Sequence, residues 1–113
     1  MRMRTAAIVV AIAVGAIAAL PAFAAVPKFT GNVGPGFTIT MAKKPKKPGK
    51  ITLVVSDKSS IHNFRLKGPG VNVKTTVAFT GTKSFKNLVL KKGKYTFVCD
   101  PHASTMRGSF TIR

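Results

Sequence analysis

Hydrophobic and polar residues alternate in short runs along most of this chain, and no apolar repeat of 3.6 residues persists long enough to make a helix. Phe37-Thr38-Ile39-Thr40-Met41 sets the pattern, with an apolar residue at every second position. A period of two places alternate side chains on opposite faces of a strand. The same pattern predicts strands over residues 51–55, 61–66, 71–79, 85–90, 94–99 and 108–113. Breakers stand between them: Gly34-Pro35-Gly36, Pro48-Gly49, Gly68-Pro69-Gly70, Gly81 and Lys92-Gly93. About seven short strands at this spacing predict an all-β Greek-key β-sandwich.

The opening residues follow a different rule. Arg2 and Arg4 precede an apolar run over residues 6–20, then Pro21 and Ala22-Phe23-Ala24. A charged start, an apolar stretch and an A-x-A site form a secretory signal pattern. This predicts a signal peptide over 1–24 and a mature domain over 25–113 that works outside the cytoplasm, periplasmic or at the cell surface. A spanning helix needs about 20 apolar residues, so the mature form is expected to have no membrane span. Retention of the run as an anchor is the alternative. No cysteine lies near the cleavage point to carry a lipid, and no adjacent arginine pair marks a twin-arginine leader.

Charge changes the picture next. Loss of residues 1–24 leaves 17 basic against 2 acidic residues, a net charge of +15. Such a charge steers association with anionic partners. Nucleic acid is disfavoured, because export separates the chain from it and no helix-turn-helix or zinc-finger spacing is present. An acidic redox partner protein fits better, with an anionic envelope surface as a second option and the chain itself a monomer. The densest basic stretch is "KKPKKPGK", residues 43–50. Its prolines deny it a regular ladder. It reads either as a solvated hairpin connection that discourages edge pairing or as a docking patch that steers the partner.

Candidate chemistry gathers near the C-terminus. "YTFVCDPHASTMRGSF" holds the only cysteine, Cys99, with His102 and Met106 close behind; the other histidine is His62. One cysteine cannot form an internal disulfide, and a lone thiol in an oxidising compartment gains protection from a metal–thiolate bond. Strand parity puts His62 with Phe64 and Leu66 on the apolar face, leaving Asn63 and Arg65 on the other. It puts Cys99 with Tyr95 and Phe97, and Met106 in line with Phe110 and Ile112. A single inward His or Met is ordinarily core packing. Four donors that one loop and one strand bring together point instead to a site.

Two imidazoles, a thiolate and a weak thioether describe a blue-copper electron-transfer centre. Zinc can take the same donors, although its structural sites usually carry more cysteines in short pairs. A Cys-His nucleophile lacks an orienting third group, since Asp57 and Asp100 are the only acids.

"CDPHASTM", with "IHNF" upstream, resembles the cupredoxins, the small blue copper proteins of plastocyanin, pseudoazurin, halocyanin and azurin type. The resemblance covers residues 37–113. It implies one type 1 copper held by His62, Cys99, His102 and an axial Met106, with Asn63 joining the two ligand loops by hydrogen bonding. The Cys-x2-His spacing is plastocyanin-like, whereas His-x3-Met is one residue shorter and closer to azurin. The function it implies is one-electron Cu(I)/Cu(II) transfer, with His102 near the surface as the exit. No enzyme is expected, because further coppers would need further histidines. The rival function is copper storage, buffering or delivery, whose mark would be Met- and His-rich tracts; residues 25–113 hold only Met41 and Met106.

Overall fold

The computed structural model describes Gly15 and residues 25–113, so the signal expected over 1–24 lies outside the described residues apart from Gly15. Eight strands form among the described residues: β1 (Lys28–Val33), β2 (Ile39–Thr40), β3 (Gly49–Asp57), β4 (Arg65–Gly68), β5 (Val71–Lys74), β6 (Gly81–Leu90), β7 (Gly93–Val98) and β8 (Arg107–Ile112). They make two four-stranded sheets, ordered β2-β1-β3-β6 and β5-β4-β7-β8. Pairing is antiparallel except for β1 beside β3, which run parallel from Lys28↔Thr52 to Val33↔Asp57. The sandwich expected from the alternation is present.

The strand that alternation did not reveal is β1. Its inward positions are Phe29, Gly31 and Val33, so a glycine interrupts the apolar signal. Gly31 is there because Phe64, just before β4, fills its side-chain space; a Cβ at residue 31 would sit 2.5 Å from the ring. Gly68 lies against the Tyr95 ring and Gly108 against the Phe97 ring in the same way. On the inner face of the β5-β4-β7-β8 sheet the rings stack, Phe64 on Phe97 at 5.8 Å and Tyr95 on Phe110 at 5.3 Å. Tyr95 meets its polar need at one end of the core: its hydroxyl donates to the Pro69 carbonyl at 2.7 Å and accepts the Lys91 N–H at 2.9 Å.

Three predicted strands are shorter than alternation suggests. The run at 71–79 stops at Lys74, because Thr75 turns inward and its hydroxyl accepts the Phe64 N–H at 2.9 Å. The run at 61–66 begins its ladder only at Arg65, and Ile61 is exposed. The run at 37–41 keeps two ladder residues, with Phe37 64% exposed. In β6 the register against β3 shifts between Ile51 and Leu53, and Asn87 takes up the extra residue at φ 59°, a conformation asparagine tolerates better than most residues.

β1 and β3 finish at one end of the sandwich, as does β7, whose Val98 pairs with the first residue of β4. The opposite end holds the starts of β1 and β3 and the turn from β6 to β7. The nine residues of β3 separate the two ends by about 25 Å at ~3.3 Å per residue.

Candidate metal centre

Three of the four predicted donors, His62, Cys99 and His102, meet at the end where β1, β3 and β7 finish, and Met106 lies at the same end. Cys99 follows the last residue of β7, His102 closes a 3-10 turn over Asp100–His102, and Met106 immediately precedes β8. Pro101 stands in the first turn, where its missing N–H is no loss. Backbone bonds then close the loop on itself. The Cys99 N–H donates to the Met106 carbonyl at 3.0 Å, the Met106 N–H to the His102 carbonyl at 2.8 Å, and the His102 N–H to the Cys99 carbonyl at 3.0 Å. His62 arrives from the β3–β4 connection. It is inward as parity predicts, yet it lies in a loop rather than in a strand.

The Nδ1 atoms of His62 and His102 lie 3.1 Å apart, and the Cys99 Sγ is 3.7 Å from the first and 3.5 Å from the second. One donor atom from each of the three falls within 4.8 Å of the others. His62, Cys99 and Met106 are buried, while His102 is half-buried. His62 Nε2 is buried without a hydrogen-bond partner. The Phe37 ring stands edge-on to both imidazoles, with centroids 5.1 and 5.0 Å away.

Asn63 corrects the parity reading. A strand would have turned it outward, but the loop buries it to 1% exposure. Its Oδ1 accepts the Asp100 N–H at 2.7 Å, and its Nδ2 donates to Asp100 Oδ2 at 2.7 Å and to the Thr75 carbonyl at 3.2 Å. The loop carrying His62 is thereby tied to the loop carrying Cys99 and His102. Arg65 completes the brace, its Nε donating to Asp100 Oδ1 at 2.7 Å and its Nη1 to Asn72 Oδ1 at 2.8 Å. The Arg65 hydrogen bond, more than the one from Asn63, holds the Asp100 carboxyl below the usual carboxylate range. Asp57 moves the other way, since burial pushes its carboxyl up against the lowering effect of the Ser59 N–H.

Asp100 ionises more readily when folded, so the stability it lends is complete above its unfolded value near pH 4 and is lost as pH falls through the lower folded value. Arg65→Gln should therefore destabilise the protein at neutral pH, with the difference from wild type shrinking on acidification. Denaturant unfolding of both proteins in the same metal state, from neutral to strongly acidic pH, measures this. A pH-independent difference would mean that Arg65 acts by packing alone.

Strand parity missed Phe37 and the brace. Phe37 sits on an alternating run and reads as core, although the Gly34-Pro35-Gly36 break before it marks a loop. Asp100 carries no signal of its own beyond being one of two acids in a basic chain.

The donors suit copper by chemistry. Imidazole nitrogen and thiolate sulfur serve it in both oxidation states, and the cluster contains no carboxylate oxygen that would favour a harder ion. Residues 32–113 match the family described as "Copper binding proteins, plastocyanin/azurin family". The chain belongs to that family. Copper is accordingly the cofactor that this plastocyanin/azurin-type protein binds. Among solved structures it is similar to spinach plantacyanin, with 16% identity, a TM-score of 0.47, and coverage of 76% of this chain and 99% of that one. No curated protein matches significantly.

Proposed function

We propose that this family member is a one-electron carrier working outside the cytoplasm as a monomer, with His62, Cys99, His102 and Met106 as the ligands of a single type 1 copper. The observation that carries the proposal is the convergence of two imidazole nitrogens and a cysteine sulfur within 4.8 Å on a braced framework. Bound copper supplies a Cu(I)/Cu(II) couple. The chain's part is to hold its donors still while the charge changes. The Cys99–Met106 loop does this through its own backbone bonds, and Asn63 with Asp100 fixes that loop against the one carrying His62. His62 and Cys99 are closed off from water, so the half-buried His102 edge, flanked by exposed Phe37, is the natural exit for the electron.

A partner then docks over Phe37 and His102. The acidic surface expected of it meets a chain whose two acids both lie at this end, within a large positive field. Complementary charge can raise association from about 10⁵–10⁶ toward 10⁸–10⁹ M⁻¹s⁻¹ at low salt. Residues 43–50 lie at the far end of the sandwich, so they can add to that field but not to the electron's path. No enzyme activity is proposed, both histidines of the chain being spent in this one centre.

Voltammetry of the copper-loaded protein should show one reversible one-electron couple, and a competing chelator should remove copper slowly. Met106→Leu should retain the colour and raise the potential, because a lost electron-pair donor disfavours the more highly charged Cu(II). Rapid handover of copper with sluggish electron exchange would favour storage or delivery instead.

A further inference from the structure

A groove among the described residues lies away from the metal centre. It lies at the other end of the sandwich, holds about 760 Å³, and is rimmed by Lys28, Lys43, Lys44, Lys46, Lys47 and Lys50 over a floor that includes Phe29 and Ile51. The lysine loop is not a loose hairpin. Pro45 is buried, and the Arg113 N–H donates to the Lys46 carbonyl at 3.3 Å, which pins the loop to the end of β8. Lys91 and Lys92 stand at the same end, next to Leu90, the pairing partner of Gly49. No acid neutralises them. Asp57 ends β3 and Asp100 follows Cys99, both at the metal end, and the one salt bridge among the described residues is Arg65–Asp100.

We infer that this end is a docking surface for an anionic lipid bilayer, which it grips while the metal end faces away. Three observations select lipid over an acidic protein. The rim contains six lysines and no arginine. Arginine suits the fixed, bidentate geometry of carboxylates, whereas lysine is a point charge on a flexible stem and suits mobile headgroup phosphates. Exposed Pro27 and Pro48, with half-buried Phe29, add apolar surface among the lysines, as contact with the boundary between headgroup and acyl chain requires. Finally, the chain enters the domain here: Val26 is 40% exposed just before β1, and the apolar run at 6–20 precedes it in sequence. Retention of that run as an anchor, the alternative to cleavage, would put the attachment on this side. Residues 43–50 then take the role that a basic segment plays beside a membrane attachment.

The test uses purified, copper-loaded protein with its natural N-terminus and vesicles of phosphatidylglycerol or phosphatidylcholine. At low salt, binding to phosphatidylglycerol should exceed that to phosphatidylcholine at least tenfold (~10×) and fall steeply as salt screens the contact. Replacing Lys43, Lys44, Lys46 and Lys47 with glutamine should weaken it several-hundredfold, at roughly fivefold per lysine. The same change of charge at the metal end (Lys58, Lys74, Lys83 and Arg107 to glutamine) should weaken it by less than about tenfold, because those side chains lie more than a Debye length of about 8–10 Å from the bilayer. Equal binding to the two lipids, or equal losses from the two variants, would overturn the inference. Displacement by polyglutamate at matched charge would reassign the surface to an acidic protein. The visible copper band reports separately on the metal centre, so loss of membrane binding with the band intact counts against this inference alone.

Discussion

Cys99→Ser should abolish the intense visible band of the copper-loaded protein and weaken copper binding by more than the roughly 10–100-fold that loss of a supporting residue costs. The thiolate is the only anionic donor among the three clustered residues and the only sulfur among them. Serine fits the same buried volume but offers a neutral, hard oxygen, which neither matches copper's softness nor gives the charge-transfer absorption of a Cu(II)–thiolate bond. The fold should survive, because Cys99 is fixed by its backbone bond to Met106 and not by its side chain alone. Absorption titration with Cu(II), followed by competition against a chelator, reads both effects. A colourless wild-type Cu(II) complex, or unchanged affinity in the variant, would remove the thiolate from the centre.

The largest stability effect is expected at Phe64. Its ring is fully buried, stacks on Phe97 and fills the space above Gly31. Phe64→Ala should cost about 3–5 kcal/mol, a large share of the roughly 5–15 kcal/mol that holds a domain together. Collapse cannot recover much of this, since the residue facing the void is a glycine with no side chain to shift. The backbone at residue 64 stays tied to Thr75 through both its N–H and its carbonyl, so His62 should keep its place and the copper band should persist at low denaturant. Urea unfolding followed by that band measures both quantities. A loss below about 1 kcal/mol would show that the β3–β4 connection closes into the space.

Much of this was legible in the sequence, for a reason visible in Tyr95, Phe97 and Cys99. All three are buried in one row, as a period of two demands, and that row ends at a metal donor. Parity also found the inward faces of Phe64 and Leu66. It failed where the chain departs from a strand. His62 is inward because a loop folds it there, and the same loop buries Asn63, which alternation had placed outside. β1 was hidden because Gly31 carries no apolar signal, its packing being supplied by an aromatic ring 33 residues later in the chain. Phe37 gave no site signal for the opposite reason: it stands in an alternating run, and its partners are two imidazoles that only the fold brings to the same edge.

Gly31 with Phe64, Gly68 with Tyr95, and Gly108 with Phe97 are three places where two distant positions share one side chain's worth of volume. A methyl group added at any of these glycines meets a ring that is itself wedged between sheets, and a smaller ring alone leaves a hole. Substitution is therefore tolerated only when both members change together, large for small and small for large. Sequence drift at these sites must pass through an intermediate that is either overfilled or hollow. Descendants of this chain should consequently preserve each glycine–aromatic pair or exchange it whole.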